Sequence, residues 1–272
     1  MTGLRSVSVW LVAFLLAVVV AAFFTAISAA QLTGEETGGR ILRRSVAVTT
    51  NIDAALPGIE KRLSEEPAFN EGGNVVVPDF PIAVELTPGE AETLRGAELR
   101  DRILDESAAR LYDEGGGAWA ANDPGADRNI ERFSTAGAVN ESLNLVRDDW
   151  HTVFVVIAVL LGIIALLMAG AIFIALPWDG RLLALGGVGV IAALPPLAAA
   201  VALRFAFRTA DTDGDLFLEG LADVGADSMW VPIRNFFTLA VLSFLVLSAG
   251  SLLLWWESRN VSVDGGWADT GL

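Results

Sequence analysis

Cysteine is absent from the 272 residues, and lysine and histidine occur once each, as Lys61 and His151. Without cysteine there are no disulfides, no thiolate nucleophile and no cysteine-ligated zinc. With one histidine, a hydrolase triad would have to be built on His151, and no GxSxG elbow accompanies it. Positive charge is also scarce. Eighteen basic residues face 33 carboxylates, for a net charge of −15, and no basic stripe exists to neutralise phosphates, which counts against nucleic-acid binding. The most informative absence is local: no Asp, Glu, Lys, Arg or His occurs in Val7–Ala30, Thr152–Leu176, Leu182–Leu203 or Phe236–Trp256. Proton relays, ion pathways and most coupled transporters need such groups near the bilayer midplane, so secondary transport is not expected.

Each of these runs is long enough to cross a hydrocarbon core about 30 Å thick at roughly 1.5 Å rise per residue. The chain therefore reads as an α-helical polytopic membrane protein. It has four transmembrane helices and a mainly α soluble domain, with a small β element, inserted between spans one and two. The expected divisions are a tail and first span over 1–30, an acidic soluble domain over 31–151, and a membrane block over 152–256 with an acidic 204–234 loop. A polar tail over 257–272 ends the chain. Small residues Ser28 and Ala30 sit where a signal peptide would be cut. The run before them exceeds the roughly 7 to 15 residues of a signal h-region, so an uncleaved anchor is expected. Trp10, Trp178, Trp255 and Trp256 mark one interface, Trp150 and Trp230 the other.

Residues 31–151 hold 12 basic and 23 acidic side chains. Leu42, Ser45, Thr49, Ile52, Leu56, Ile59 and Leu63 recur at three and four, the spacing of one helical face, with Pro57-Gly58 expected to break or kink it. In Val75–Leu86, Phe80, Ile82, Val84 and Leu86 alternate as in a half-buried strand that Pro78 and Pro81 confine to an edge or an extended turn. Thr87-Pro88-Gly89-Glu90 has the form of a capping box, and the following helix gathers Leu99, Ile103, Leu104, Ala108, Leu111 and Tyr112 on one side before Gly115-Gly116-Gly117. Trp119–Arg132 reads as a loop. No breaker separates Val139, Leu143, Val146 and Trp150 from the second span, which predicts one helix from about Phe133 through Leu176, joining the domain rigidly to the bilayer. Pro177-Trp178-Asp179-Gly180-Arg181 reads as a tight hairpin, and Pro195-Pro196 should bend the third span.

Asp211-Thr212-Asp213-Gly214-Asp215 resembles the opening of an EF-hand-type calcium loop, since carboxylates at alternate positions can converge on one hard cation. Asp211, Asp213, Asp215 and Glu219 are the candidate ligands, although Leu216 and Ala222 replace the usual glycine and bidentate glutamate. The competing reading is an acidic turn capping the helix LFLEGLADVGA. Asn140-Glu141-Ser142 is a candidate glycosylation acceptor, and Asn260-Val261-Ser262 fits the same pattern. His151 beside Asp148 and Asp149 has the residue types of a general base, but neighbouring helical positions do not face one another, and an interfacial polar role is expected. Glu98, Asp101 and Asp105, spaced along one helix, have the residue types to pair with Arg102 or bind ions, and a solvated acidic face is expected.

No cofactor is expected beyond a weakly held Ca²⁺ or Mg²⁺ ion. The expected function is a non-catalytic envelope protein of the cell membrane, multi-pass, adapted to high salt. It presents its domain outside, with both termini cytoplasmic, for partner binding, sensing or scaffolding. Its partners are the lipid bilayer and an unidentified protein or a second copy of itself. One alternative is a transport-linked subunit, since one span, a large domain and three spans is similar in topology to the macrolide-exporter and cell-division type of ABC permease, although PWDGR leaves little room for a coupling segment. Another is a membrane-linked enzyme using Asp148, Asp149 and His151.

Overall fold

The computed structural model describes residues 2–65, 67–70, 72–115, 118, 146, 148–214 and 216–264, without the side chains of 2–9, 179, 216, 217 and 260–264. The chain is mostly helical, and four helices are long and apolar enough to cross a membrane. They lie within α1 (Thr2–Thr33), α6 (Asp148–Ala175), α7 (Trp178–Arg208) and α9 (Trp230–Asp264). Between α1 and α6 come α2 (Glu35–Thr50), α3 (Ile52–Glu65), strands β1 (Ala68–Phe69), β2 (Val75–Val76) and β3 (Glu85–Leu86), α4 (Pro88–Thr93) and α5 (Gly96–Glu114). The short helix α8 (Leu216–Ser228) lies between α7 and α9.

Contacts divide the chain into two units. One comprises Met1–Ser28, Val155–Leu203 and Met229–Leu272, the other Ala29–Phe154 and Arg204–Ser228. In the apolar unit the buried centre is small, with Ala13, Leu16, Ala17, Ile172, Val188 and Ala192, while Leu166 and Ile174 are 75% and 83% exposed. An apolar exterior around a thin core is the expected arrangement where lipid tails are the solvent. Small residues let the backbones approach: a Cβ on Gly186 of α7 would lie 2.6 Å from the Leu247 amide nitrogen of α9, and one on Gly250 of α9 would lie 3.0 Å from Leu182 Cβ. Asn235 donates to the buried Ser28 hydroxyl at 2.9 Å, tying α9 to α1. Only Leu176 and Pro177 link α6 to α7. Trp178 to Arg181 form the first turn of α7 instead of a hairpin, with the Gly180 amide donating to the Pro177 carbonyl at 3.0 Å. Pro195 and Pro196 sit within α7, which continues to Arg208.

The charged unit has a core of its own. Leu42, Ile52, Ile82, Val84, Leu86, Leu99 and Ile103 are all fully buried, each side chain of this kind contributing about 1.5–3 kcal/mol when removed from water. The helix break falls at Asn51 and not at Pro57-Gly58. Asn51 takes φ 45°, ψ 48°, and its carbonyl accepts the Ala54 and Ala55 amides that start α3. Asparagine tolerates this left-handed conformation. Thr49 and Thr50 turn their hydroxyls back onto the Ser45 and Val46 carbonyls, so the last turn of α2 is closed locally. Pro57 is inside α3, where its ring removes one intrahelical bond and the helix continues.

The Val75–Leu86 segment, expected as an edge strand or an extended turn, is a hairpin. β2 and β3 pair antiparallel, Val75 opposite Leu86, with β1 on the other side of β2, and the Val77 amide donates to the Val84 carbonyl at 2.9 Å. Pro78 and Pro81 flank Asp79, whose φ of 53° turns the chain. The alternation of apolar residues predicted the buried face correctly, because Phe80, Ile82, Val84 and Leu86 are all buried.

Helix α6 runs unbroken through Asp149 and Thr152 but begins at Asp148; Val146 lies in a bend. The single helix from Phe133 is therefore not continuous at that point. Val146 packs instead on the core of the charged unit, against Gly38, and Asp148 and Asp149 occupy the first turn of α6, where negative charge opposes the helix dipole. Phe133–Leu145 lie outside the described residues, as does the 119–132 loop.

Candidate functional site

Helices α2 and α5 of the charged unit leave an open groove of about 330 Å³ between them. Gly39, Ala108 and Ala109 line it together with the charged Glu35, Glu36, Arg40, Arg43, Asp105 and Asp113. Arg43 closes one side by forking across to α5, with Nη2 at 2.6 Å from Asp101 and Nη1 at 2.7 Å from Asp105. A bidentate guanidinium of this kind fixes geometry as well as charge. Asp101 and Asp105 are thus not a free acidic face, and their partner is Arg43 of another helix. Arg102 instead meets Glu90 and Glu106, both at 2.9 Å. Pairings between helices 58 and 62 residues apart carry no local sequence signal.

At the inner end of the groove stands Tyr112, the chain's only tyrosine. Its hydroxyl donates to the Thr33 carbonyl at 3.0 Å. Burial, then the carboxylates of Asp148, Glu35 and Asp113, push this phenol above its ordinary pKa. It is therefore a neutral donor at physiological pH. His151 closes on the same helix end: its Nδ1 lies 2.9 Å from the Ala30 carbonyl. A carbonyl only accepts, so the hydrogen is on Nδ1. The last four carbonyls of an α-helix have no intrahelical partner. Tyr112 and His151, together with the Thr33 hydroxyl, supply donors to the Thr33 and Ala30 carbonyls at this end of α1. Neither Asp148 nor Asp149 orients the imidazole; a main-chain oxygen does. Geometry of this type holds a helix end in place.

The acidic loop is a turn as far as it is described. Asp211 Oδ1 accepts the Asp213 amide at 3.2 Å, Asp213 has φ 50° and Gly214 φ 77°. Asp211, Asp213 and Glu219 are exposed, and Asp215 lies outside the described residues. No three carboxylate or imidazole groups among the described residues are placed to hold one metal ion. The predicted helix after the loop is present as α8, and its position is new: Gly220 abuts Val48 of α2, and Arg44 pairs with Asp227 at 2.6 Å. Asn140 lies outside the described residues, and Asn260 falls within α9.

No protein-family model matches the chain, and no curated protein or solved structure resembles it significantly.

Proposed function

We propose that this protein is a non-catalytic integral membrane protein of the cell envelope whose charged helical unit is a docking surface for another protein. The observation that carries this reading is the composition of that unit. Residues Ala29–Phe154 and Arg204–Ser228 pack as one body, with α8 seated on α2. If each apolar helix crosses the bilayer once, the segments after the first and third spans emerge on the same side, as joint packing requires. The α2–α5 groove then offers a partner acidic side chains at Glu35, Glu36 and Asp113 and an arginine at Arg40, around the small side chains of Ala108 and Ala109.

The unit lies outside and both termini lie in the cytoplasm. Long domains translocate largely regardless of charge, so the charge of this unit does not oppose export. The surplus of carboxylates suits concentrated salt, where it holds hydration. The two-residue link between α6 and α7 leaves no space for the cytoplasmic coupling segment of a permease-like subunit.

A photo-crosslinking residue at Ala109, inside the groove, tests the reading in intact cells. A discrete higher-mass adduct is expected at Ala109 and not at an exposed residue far from it in sequence, such as Lys61. Equal or absent crosslinking at both positions would overturn the assignment of the groove.

A further inference from the structure

In the charged unit Arg40, Arg43, Arg44, Arg62, Arg100, Arg102 and Arg110 all form ion pairs with carboxylates. Arg181 does not. It lies in the first turn of α7, just past the apolar run of α6, and no carboxylate among the described side chains reaches it. Its Nε donates to the Leu176 carbonyl at 2.9 Å, and its guanidinium carbon stands 4.4 Å from the Phe173 ring centroid and 5.5 Å from that of Trp178. The two rings are themselves in edge contact, 6.3 Å apart at 74°. One hydrogen bond and two aromatic surfaces therefore fix the plane of the guanidinium while leaving the four Nη hydrogens without a described acceptor. Such a fork matches two oxygens of one phosphate. Trp178 is 65% exposed beside it, as an aromatic side chain at headgroup level would be.

We infer that Arg181, framed by Phe173 and Trp178, holds the phosphate of an anionic phospholipid headgroup at the turn between α6 and α7. Cation–π contact with the rings compensates part of the desolvation of the guanidinium. The inference rests on α6 and α7 crossing a bilayer. Recovery of the full-length protein in the membrane fraction after alkaline washing tests that premise separately.

The direct experiment is native mass spectrometry of the full-length protein from detergent containing equal phosphatidylglycerol and phosphatidylcholine. Wild type should keep bound phosphatidylglycerol in preference to phosphatidylcholine, and Arg181→Gln should keep about tenfold less, the loss of one bidentate charged contact. Arg181→Lys, which retains the charge and loses the fork, should fall between them. Equal retention by wild type and Arg181→Gln overturns the site. Should Arg181→Gln not fold, retention by Arg181→Lys equal to wild type does the same. A third arm adds inorganic phosphate: displacement of the lipid at millimolar phosphate assigns the fork to the free ion and overturns the lipid assignment.

Discussion

The Glu90 carboxylate accepts from the Thr87 amide at 2.8 Å, the Thr87 hydroxyl at 2.9 Å and Arg102 Nε at 2.9 Å. The Thr87 amide first, then Arg102 and the Thr87 hydroxyl, hold this carboxyl below the ordinary glutamate range. Asp53 beside Arg100, and Glu85 beside Asn74, are lowered likewise. A carboxyl whose folded pKa is lowered stabilises the fold above its unfolded pKa, and that stabilisation disappears as pH falls through the folded value. Acidification below about pH 4.3 should therefore lower the thermal midpoint of the full-length protein in detergent. Glu90→Gln should be less stable at pH 7 and lose less as pH falls from about 4.3 to about 2; an equal loss in both proteins over that range would show that the box does not titrate. Tyr112→Phe isolates another single bond. Removing its hydroxyl leaves the Thr33 carbonyl without that donor and should cost about 1 kcal/mol, read as a lower thermal midpoint, whereas an unchanged midpoint would mean that water replaces the phenol.

At the level of elements, helix packing in the apolar unit is controlled by which glycines face a neighbour. Gly186 faces the Leu247 backbone, while Gly187 has nothing within 4 Å of an added Cβ. Gly186→Ala must push α7 from α9 and should cost about 1–3 kcal/mol. Gly187→Ala should be neutral or gain up to roughly 1 kcal/mol in helix propensity. Thermal unfolding of the two variants decides the point, and a matched effect would place the seam elsewhere. What the sequence made legible follows the same division between local and distant causes. The Thr87 capping box, the buried face of α5 and the four apolar runs are periodic or short-range patterns, readable without knowing any neighbour. The break at Asn51 was hidden because Pro57-Gly58 is the stronger breaker by residue type, whereas hydroxyl back-bonding and one left-handed asparagine end the helix six residues earlier. The hairpin within Val75–Leu86 was hidden because its apolar alternation continues through the turn. Neither the seat of α8 on α2 nor the Arg43 fork has any local signature, so the candidate groove was not legible at all.

At the scale of the whole molecule, charge and topology make separate claims. With 33 carboxylates against 18 basic residues, repulsion acts on the folded state, and added salt screens it, the Debye length falling from about 10 Å at 0.1 M to about 3 Å at 1 M. Most of the internal ion pairs are at least partly exposed, so the same salt weakens them, but such pairs are worth only about 0–1 kcal/mol each. The balance favours stabilisation: the thermal midpoint should rise between 0.1 M and 2 M NaCl, and a fall would mean that the Arg43 and Arg102 networks outweigh the net charge. Topology is open to a cleaner test, because the absence of cysteine makes every introduced thiol unique. Ala109 in α5, Asp223 in α8 and Ser258 near the end of α9 are all exposed. Four single crossings put the first two on one side and the third on the other, whichever side faces the medium. With the charged unit outside, a membrane-impermeant maleimide on intact cells should label Ala109→Cys and Asp223→Cys and spare Ser258→Cys until the cells are opened. The reverse pattern would keep four crossings and invert the protein. Labelling that separates Ala109 from Asp223 would break the topology itself, because α8 could not then sit on α2.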